Sequence, residues 1–349
     1  MSFFREALKR ILFGCLLLSI NCFAEVNNNS SIVKKLNDIS RATNSIIGVS
    51  AIYLETNQKV SYNGNVPFFM ASTIKVPIAV AFLHRVDENQ DSLDHVVRLS
   101  NNNSIPGSGS LYHSLNKGYV DISLGKLLRL MLTISDNSAS DAILREVNGP
   151  VTVSRMLHAY GLDHIMVRRS LLHILVDENG ANPDVLNQSH TSKYLEKIFG
   201  QVPIAKKLFA WKQFQNDPRD TTTPDDMVML LVKLYNRELL SDDSTDLLLG
   251  IMERCQTGKT RIKKLLPSGT KVAHKTGSWA IYSRNILKHP GSKQLFRFAS
   301  DVGIISLPRD QGHIVIAVYV KSRGVSDHVR SRAIALASRA VYDHLTRNG

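Results

Sequence analysis

The sequence predicts a mixed α/β (α+β) protein in which both ends of the chain share one sheet and a helical stretch is inserted between them. Two observations carry this. Segments rich in β-branched residues lie near both ends of the 349-residue chain, and apolar residues recur at helical spacing through the middle. Isolated strands cannot bury a face, so the terminal ones are expected to join in one layer.

The elements follow in order. After an Asn-rich stretch at 26–31, residues 32–44 have the pattern of a short amphipathic helix. Residues 46–55 read as a strand, with 58–62 as its hairpin partner. Helical periodicity then covers 73–87, 121–132, 138–147, 151–160, 225–236 and 242–254. The stretch 170–220 is mixed in polarity, and only a short helix near 192–199 is expected there. Strand signals return at 271–276, 298–307 and 313–320, the last two joined across Pro308-Arg-Asp-Gln-Gly312. A final helix over 326–344 sets Val329, Ala333, Ile334, Ala337, Ala340 and Val341 on one face, with Ser326 as its cap. This divides the chain into an α/β part at about 32–65 plus 265–349 and a helical part at about 66–264, with no internal repeat.

The N-terminus carries Arg5, Lys9 and Arg10, an apolar run from Ile11 to Ile20, and Ala24 before Glu25. A basic start, a short apolar core and a small residue predict a Sec-type signal peptide over 1–24, and the run is too short to span a bilayer. Residues 25–349 are then expected as a single, monomeric catalytic domain in the periplasm or outside the cell, with no stable membrane anchor. Cys15 and Cys22 would leave with the peptide, so Cys255 could form no disulfide within the chain and is expected to be a small buried hydrophobe.

The formal net charge is +13, but the basic residues are spread along the chain. The densest set, Arg261-Ile-Lys263-Lys264, lacks interleaved aromatics, so no nucleic-acid partner is expected. The 12 histidines show no ligand spacing, and Gly107-Ser-Gly109 follows no strand. No metal and no cofactor are therefore expected, and His274 is the one histidine placed beside a motif.

Three short motifs carry the chemistry: Ser72-Thr73-Ile74-Lys75, Ser135-Asp136-Asn137 and Lys275-Thr276-Gly277. Ser-x-x-Lys occurs five times, but only Ser72 stands where a loop gives way to an apolar helix. Unpaired N–H groups and the positive dipole end favour negative charge there. Lys75, three residues on, shares a helix face with Ser72, and a desolvated amine can take the hydroxyl proton. Ser135 lies in a loop between two helices, from which it can relay a proton, and Asn137 can pair with an amide. Lys275 and Thr276 suit a carboxylate, Gly277 leaves room for a substrate backbone, and the Ser278 N–H can face an oxyanion with that of Ser72.

With these residues in this order, the chain resembles the class A β-lactamases and penicillin-binding proteins, a family to which the three motifs belong. Pro106-Gly-Ser-Gly109, Asp220-Thr-Thr-Thr-Pro224 and Ser300-Asp-Val-Gly303 are similar to class A sequence at matching places. The resemblance implies a five-stranded antiparallel sheet flanked by helices, a helical subdomain and a cleft between them.

The pattern departs from the family at one catalytic position. Where class A enzymes carry Glu-x-x-Leu-Asn, this chain has Pro183-Asp184-Val185-Leu186-Asn187, so the glutamate that activates the deacylating water is absent. Glu178 and Asp184 are the substitute candidates. Insertions at about 170–220 and 281–298 accompany the change, the latter bringing Arg284 and Arg297, which are expected to be surface charges. The resemblance implies β-lactam hydrolysis through an acyl-Ser72 intermediate. A D-Ala-D-Ala peptidase or another penicillin-binding enzyme of peptidoglycan, with slow deacylation, is the alternative, and a non-catalytic cell-wall binding module is the third reading. The partner is accordingly a small β-lactam or a peptidoglycan peptide.

Overall fold

The computed structural model describes residues 30–187, 190–280 and 284–347, so the segment read as a signal peptide lies outside it. A five-stranded sheet is built from β1 (Ser45–Tyr53), β2 (Gln58–Tyr62), β3 (Lys271–Trp279), β4 (Arg297–Ser306) and β5 (His313–Ser322). Its order is β2-β1-β5-β4-β3, and every neighbouring pair is antiparallel. The two ends of the chain therefore share one sheet, as expected.

Among the described residues, eleven longer helices cover or extend from this sheet: α1 (30–42), α2 (Lys75–Asp87), α3 (Leu124–Thr133), α4 (Asn137–Glu146), α5 (Pro150–Ala159), α6 (Leu171–Asn179), α7 (Ser192–Gln201), α8 (Ile204–Phe214), α9 (Pro224–Tyr235), α10 (Asp242–Glu253) and α11 (Asp327–Thr346). β1 is buried at nearly every position because both sheet faces are covered. Ile47, Val49 and Ala51 pack with Ala333, Ile334, Ala337 and Val341 of α11. On the other face Val315, Ala317 and Tyr319 join Met227 and Leu231 of α9. Ser326 caps α11 as predicted, accepting from the Val329 N–H.

Helix α2 is buried on all sides from Val76 to Leu83, so it is a central core helix rather than a surface one. It starts later than its periodicity suggests, because Ala71–Ile74 forms a tighter helical turn. The predicted helix at 121–132 also begins too early. Val120–Ser123 is a short strand paired with Val96–Leu99, its alternating Val120 and Ile122 favouring an extended chain, and the Ser123 hydroxyl then caps α3.

The stretch 170–220 contains more structure than expected. Ser170 caps α6, which ends at Gly180 in the left-handed conformation (φ 62°), and α8 follows Pro203. Arg169 fastens the base of this segment. Its Nε donates to Asp220 Oδ2 at 2.6 Å, and the Arg168 and Arg169 amides donate to Asp220 Oδ1 at 2.7 and 3.0 Å. Its Nη1 reaches Asp177 at 2.7 Å and Asp217 at 3.2 Å.

Candidate active site

The Ser72 turn is pressed against β3. Ala71, just before the serine, has a positive φ of 48°, and the Thr73 hydroxyl donates to Met70 O at 2.7 Å to hold the turn closed. Gly277 makes the close approach possible. A Cβ there would stand 2.4 Å from Ser300 Oγ and 2.6 Å from Met70 O, so any side chain would push the turn away. The space a side chain at Gly277 would need is thus already taken by Ser300 Oγ and the Met70 carbonyl. Ser72 is buried, with 7% of its surface exposed, and its carbonyl accepts from the Lys75 N–H.

The second motif meets both lysines. Ser135 sits in left-handed backbone (φ 60°), just before α4. Its Oγ accepts from Lys75 Nζ at 3.1 Å and from Lys275 Nζ at 3.0 Å. Lys75 Nζ also donates to Ser135 O at 2.6 Å and to Asn137 Oδ1 at 2.9 Å, which occupies its three protons. Lys275 Nζ has a second acceptor in Thr276 O at 2.8 Å. Asp136, between them, is structural. It caps α4 through the Ala139 N–H at 2.9 Å and accepts from the Ser110 and Leu111 amides at 2.7 and 2.8 Å. Gly109, at φ 103°, lies so close to Asp136 that a Cβ would meet its carboxylate at 2.2 Å. Residues 106–111 are thereby tied to the second motif, and Asn137 Nδ2 completes the tie by donating to Pro106 O at 3.2 Å.

Burying two amines together disfavours their charges. Burial, followed by repulsion from Lys275, holds Lys75 well below the ordinary lysine range against the pull of Asp136 and Asp141. Burial brings Lys275 down to about 8, with Cys255 and Asp301 opposing the change and Arg261 adding to it. Both amines therefore give up a proton more readily than an ordinary lysine.

Thr276 and Ser278 flank Gly277 on β3. The Thr276 hydroxyl lies 2.6 Å from Thr257 Oγ1, and Ser278 Oγ accepts from Arg261 Nη2. Arg261 was not singled out by sequence reasoning, which left it in a solvated basic set. It is buried, and its Nη1 donates to Gly277 O at 2.7 Å and Ser300 O at 2.8 Å. The signal lay in its neighbour Ile262, an apolar residue among charges, which is fully buried and turns this stretch inward. Arg297 is also more than a surface charge: its Nε is buried without a hydrogen-bond partner among the described residues.

The two candidate bases differ sharply. Glu178 lines a cavity of about 380 Å³ together with Pro106, Gly107, Phe199, Trp211 and Ala280. Burial raises its carboxyl to about 8 despite hydrogen bonds from Trp279 Nε1 and Asn179 Nδ2. Asp184 is exposed, and its carboxylate accepts from Asn182 Nδ2 at 3.0 Å. Pro106, on the wall of this cavity, accepts from Asn137 Nδ2, and Asn137 Oδ1 accepts from Lys75, so a chain of hydrogen bonds links the cavity wall to the lysine cluster.

Known proteins are similar to this chain over nearly its whole length. A family model described as the beta-lactamase enzyme family matches residues 31–345. A beta-lactamase of Bacteroides uniformis is 26% identical, over 95% of this chain and 98% of that protein. Beta-lactamase VEB-1 of Pseudomonas aeruginosa is 24% identical over 97% and 98% of the two chains. The crystal structure of the TLA-1 extended spectrum beta-lactamase superposes with a TM-score of 0.73 at 27% identity, covering 91% of this chain and 99% of that one.

Proposed function

Because this chain belongs to the beta-lactamase enzyme family, we propose that it is a class A-type serine hydrolase that opens β-lactam amides through an acyl-Ser72 intermediate. The observation that supports this best is the single hydrogen-bonded cluster in which Ser135 Oγ joins Lys75 to Lys275 beside the Ser72 turn. Ser72 Oγ attacks the lactam carbonyl while neutral Lys75 takes its proton. The backbone N–H groups of Ser72 and Ser278 receive the oxyanion. The departing lactam nitrogen takes a proton from the Ser135 hydroxyl, which Lys75 resupplies through their hydrogen bond. Lys275 and Thr276 hold the substrate carboxylate, and Asn137 pairs with its amide side chain.

Deacylation falls to Glu178, whose carboxyl borders the cavity next to Pro106 and Gly107. Asp184 is the weaker choice, being exposed and engaged by Asn182. With its carboxyl at about 8, Glu178 is mostly protonated at neutral pH, so acyl-enzyme breakdown is slow there. That favours a second reading, a penicillin-binding D-Ala-D-Ala peptidase, which would be labelled for long periods by fluorescent penicillin and would release D-alanine from a peptide. Export by residues 1–24, and work as a periplasmic monomer, complete the proposal. Mixing purified protein with nitrocefin tests it: many turnovers per molecule support the β-lactamase reading, and one stoichiometric burst without a steady state overturns it.

A further inference from the structure

Side chains alternate along a strand, so His274 and Thr276 leave β3 on the face opposite to Lys275. His274 and Asp301 are both fully buried there, with His274 Nδ1 and Asp301 Oδ1 2.8 Å apart. The other ring nitrogen, Nε2, is also buried and has no conventional hydrogen-bond partner among the described residues. The thiol of Cys255 is coupled electrostatically to this imidazole. The sulfur is 3.2 Å from Thr257 Oγ1, whose hydroxyl is 2.6 Å from that of Thr276. Gly258 closes over the group, since a Cβ there would come within 2.3 Å of Thr276 Cγ2 and 3.5 Å of His274 Cε1.

Nothing in the acylation chemistry uses this cysteine, histidine and aspartate, yet their order is that of an activated thiol. We infer that Cys255, His274 and Asp301 form a thiol-modification site that takes a small disulfide-type electrophile and is felt at Thr276. Burial works against ionisation of the thiol, but His274 and Lys275 bring it down to about 7. Burial likewise disfavours a charged imidazole, and Asp301, then Cys255, raise it to about 9. Cys255 keeps 8% of its surface exposed, which limits entry to small reagents.

In the step itself, Cys255 reacts as the thiolate, its charge balanced by the protonated His274 ring, and the Cys255 sulfur attacks one sulfur of the reagent. The reagent's S–S bond breaks, a new S–S bond forms, and the leaving group departs with the electron pair. Cys255 is oxidised to a mixed disulfide and the reagent is reduced. The added group displaces Thr257, and with it the hydroxyl that positions Thr276.

Methyl methanethiosulfonate is a suitable probe, its leaving group being methanesulfinate. The full chain is treated at pH 6 folded and unfolded in guanidinium, next to Cys255→Ser, and peptide mapping reads residue 255 apart from Cys15 and Cys22. The folded chain should react about tenfold faster at Cys255 than the unfolded one, because more of its thiol is ionised. The adduct should slow acylation of Ser72 by benzylpenicillin at least tenfold, dithiothreitol should restore it, and Cys255→Ser should acylate normally with or without reagent. A folded rate at or below the unfolded rate would mean an inert, packed thiol and overturn the site. An adduct that leaves acylation unchanged would overturn its link to Thr276. The activity arm alone rests on the proposed function: if untreated protein is never acylated, that proposal fails, while the labelling rates still decide the thiol site.

Discussion

Lys275 Nζ donates to Ser135 Oγ at 3.0 Å, joining the third sequence motif to the second across 140 positions of chain. The same hydroxyl accepts from Lys75, so charge on either amine is felt by the other. Acylation should therefore follow a bell-shaped pH profile. It rises as Lys75 loses its proton, and falls as pH passes about 8 and Lys275 loses the charge that holds a carboxylate. Single-turnover acylation rates from pH 5 to 10 check this, and Lys275→Ala should abolish the alkaline limb while slowing acylation at least a hundredfold, a loss of about 3 kcal/mol in transition-state binding.

Deacylation should show the opposite alkaline behaviour. Glu178 serves as a base only when ionised, so release of the acyl group should accelerate as pH rises through about 8. Glu178→Gln should let the acyl-enzyme accumulate with little change in its formation. The same shift has a stability consequence. A carboxyl raised in the folded state disfavours folding increasingly as pH climbs from its unfolded value near 4.5 toward 8. Glu178→Gln should thus melt at a higher temperature than the parent at pH 8, and the difference should shrink toward pH 4.

The pair Arg169 and Asp220 is a different test, of structure rather than chemistry. Both are buried, and Asp220 is fully so. Arg169→Ala would leave a buried carboxylate with only its backbone donors, and a loss of about 3 kcal/mol is expected by urea unfolding. The acids at Asp177 and Asp217 would lose the same partner, so the α6 to α8 segment should become the first to open in hydrogen exchange.

Gly277→Ala should act at a distance of one atom. The new Cβ would fall 2.6 Å from Met70 O, forcing the Ser72 turn away from β3. Acylation should drop at least tenfold, while the unfolding free energy falls by about 1–3 kcal/mol. A variant that folds normally and acylates at the parent rate would show that the contact between Gly277 and the turn is dispensable.

Much of this arrangement was legible in the chain itself. The strand at 313–320 announced itself by its run of β-branched residues after the turn at 308–312, and 58–62 by its place just after the β-branched strand at 46–55. The helix at 242–254 was equally plain from its helical periodicity, and the structure adds Ser241 as its cap and Asp242 and Asp243 in its first turn. The segment 170–220 was not, because α6 and α8 are positioned by the buried Arg169 cluster and by packing of Trp211 and Phe214 against Phe69 and Trp279, which are tertiary contacts without a local signature. In the site, the motifs named Ser72, Lys75, Ser135 and Lys275 directly. Arg261 and the trio Cys255, His274 and Asp301 stayed hidden because their partners lie far away in sequence.

The central claim is that Ser72 carries a transient acyl group. Intact mass of the protein, followed in time after mixing with benzylpenicillin, tests it most directly. The account predicts one penicilloyl adduct at Ser72 that forms within the first seconds to minutes and decays faster at pH 9 than at pH 7, with no adduct on Ser72→Ala. An adduct that persists on Ser72→Ala, or a parent protein that destroys no benzylpenicillin and never gains mass, would contradict it.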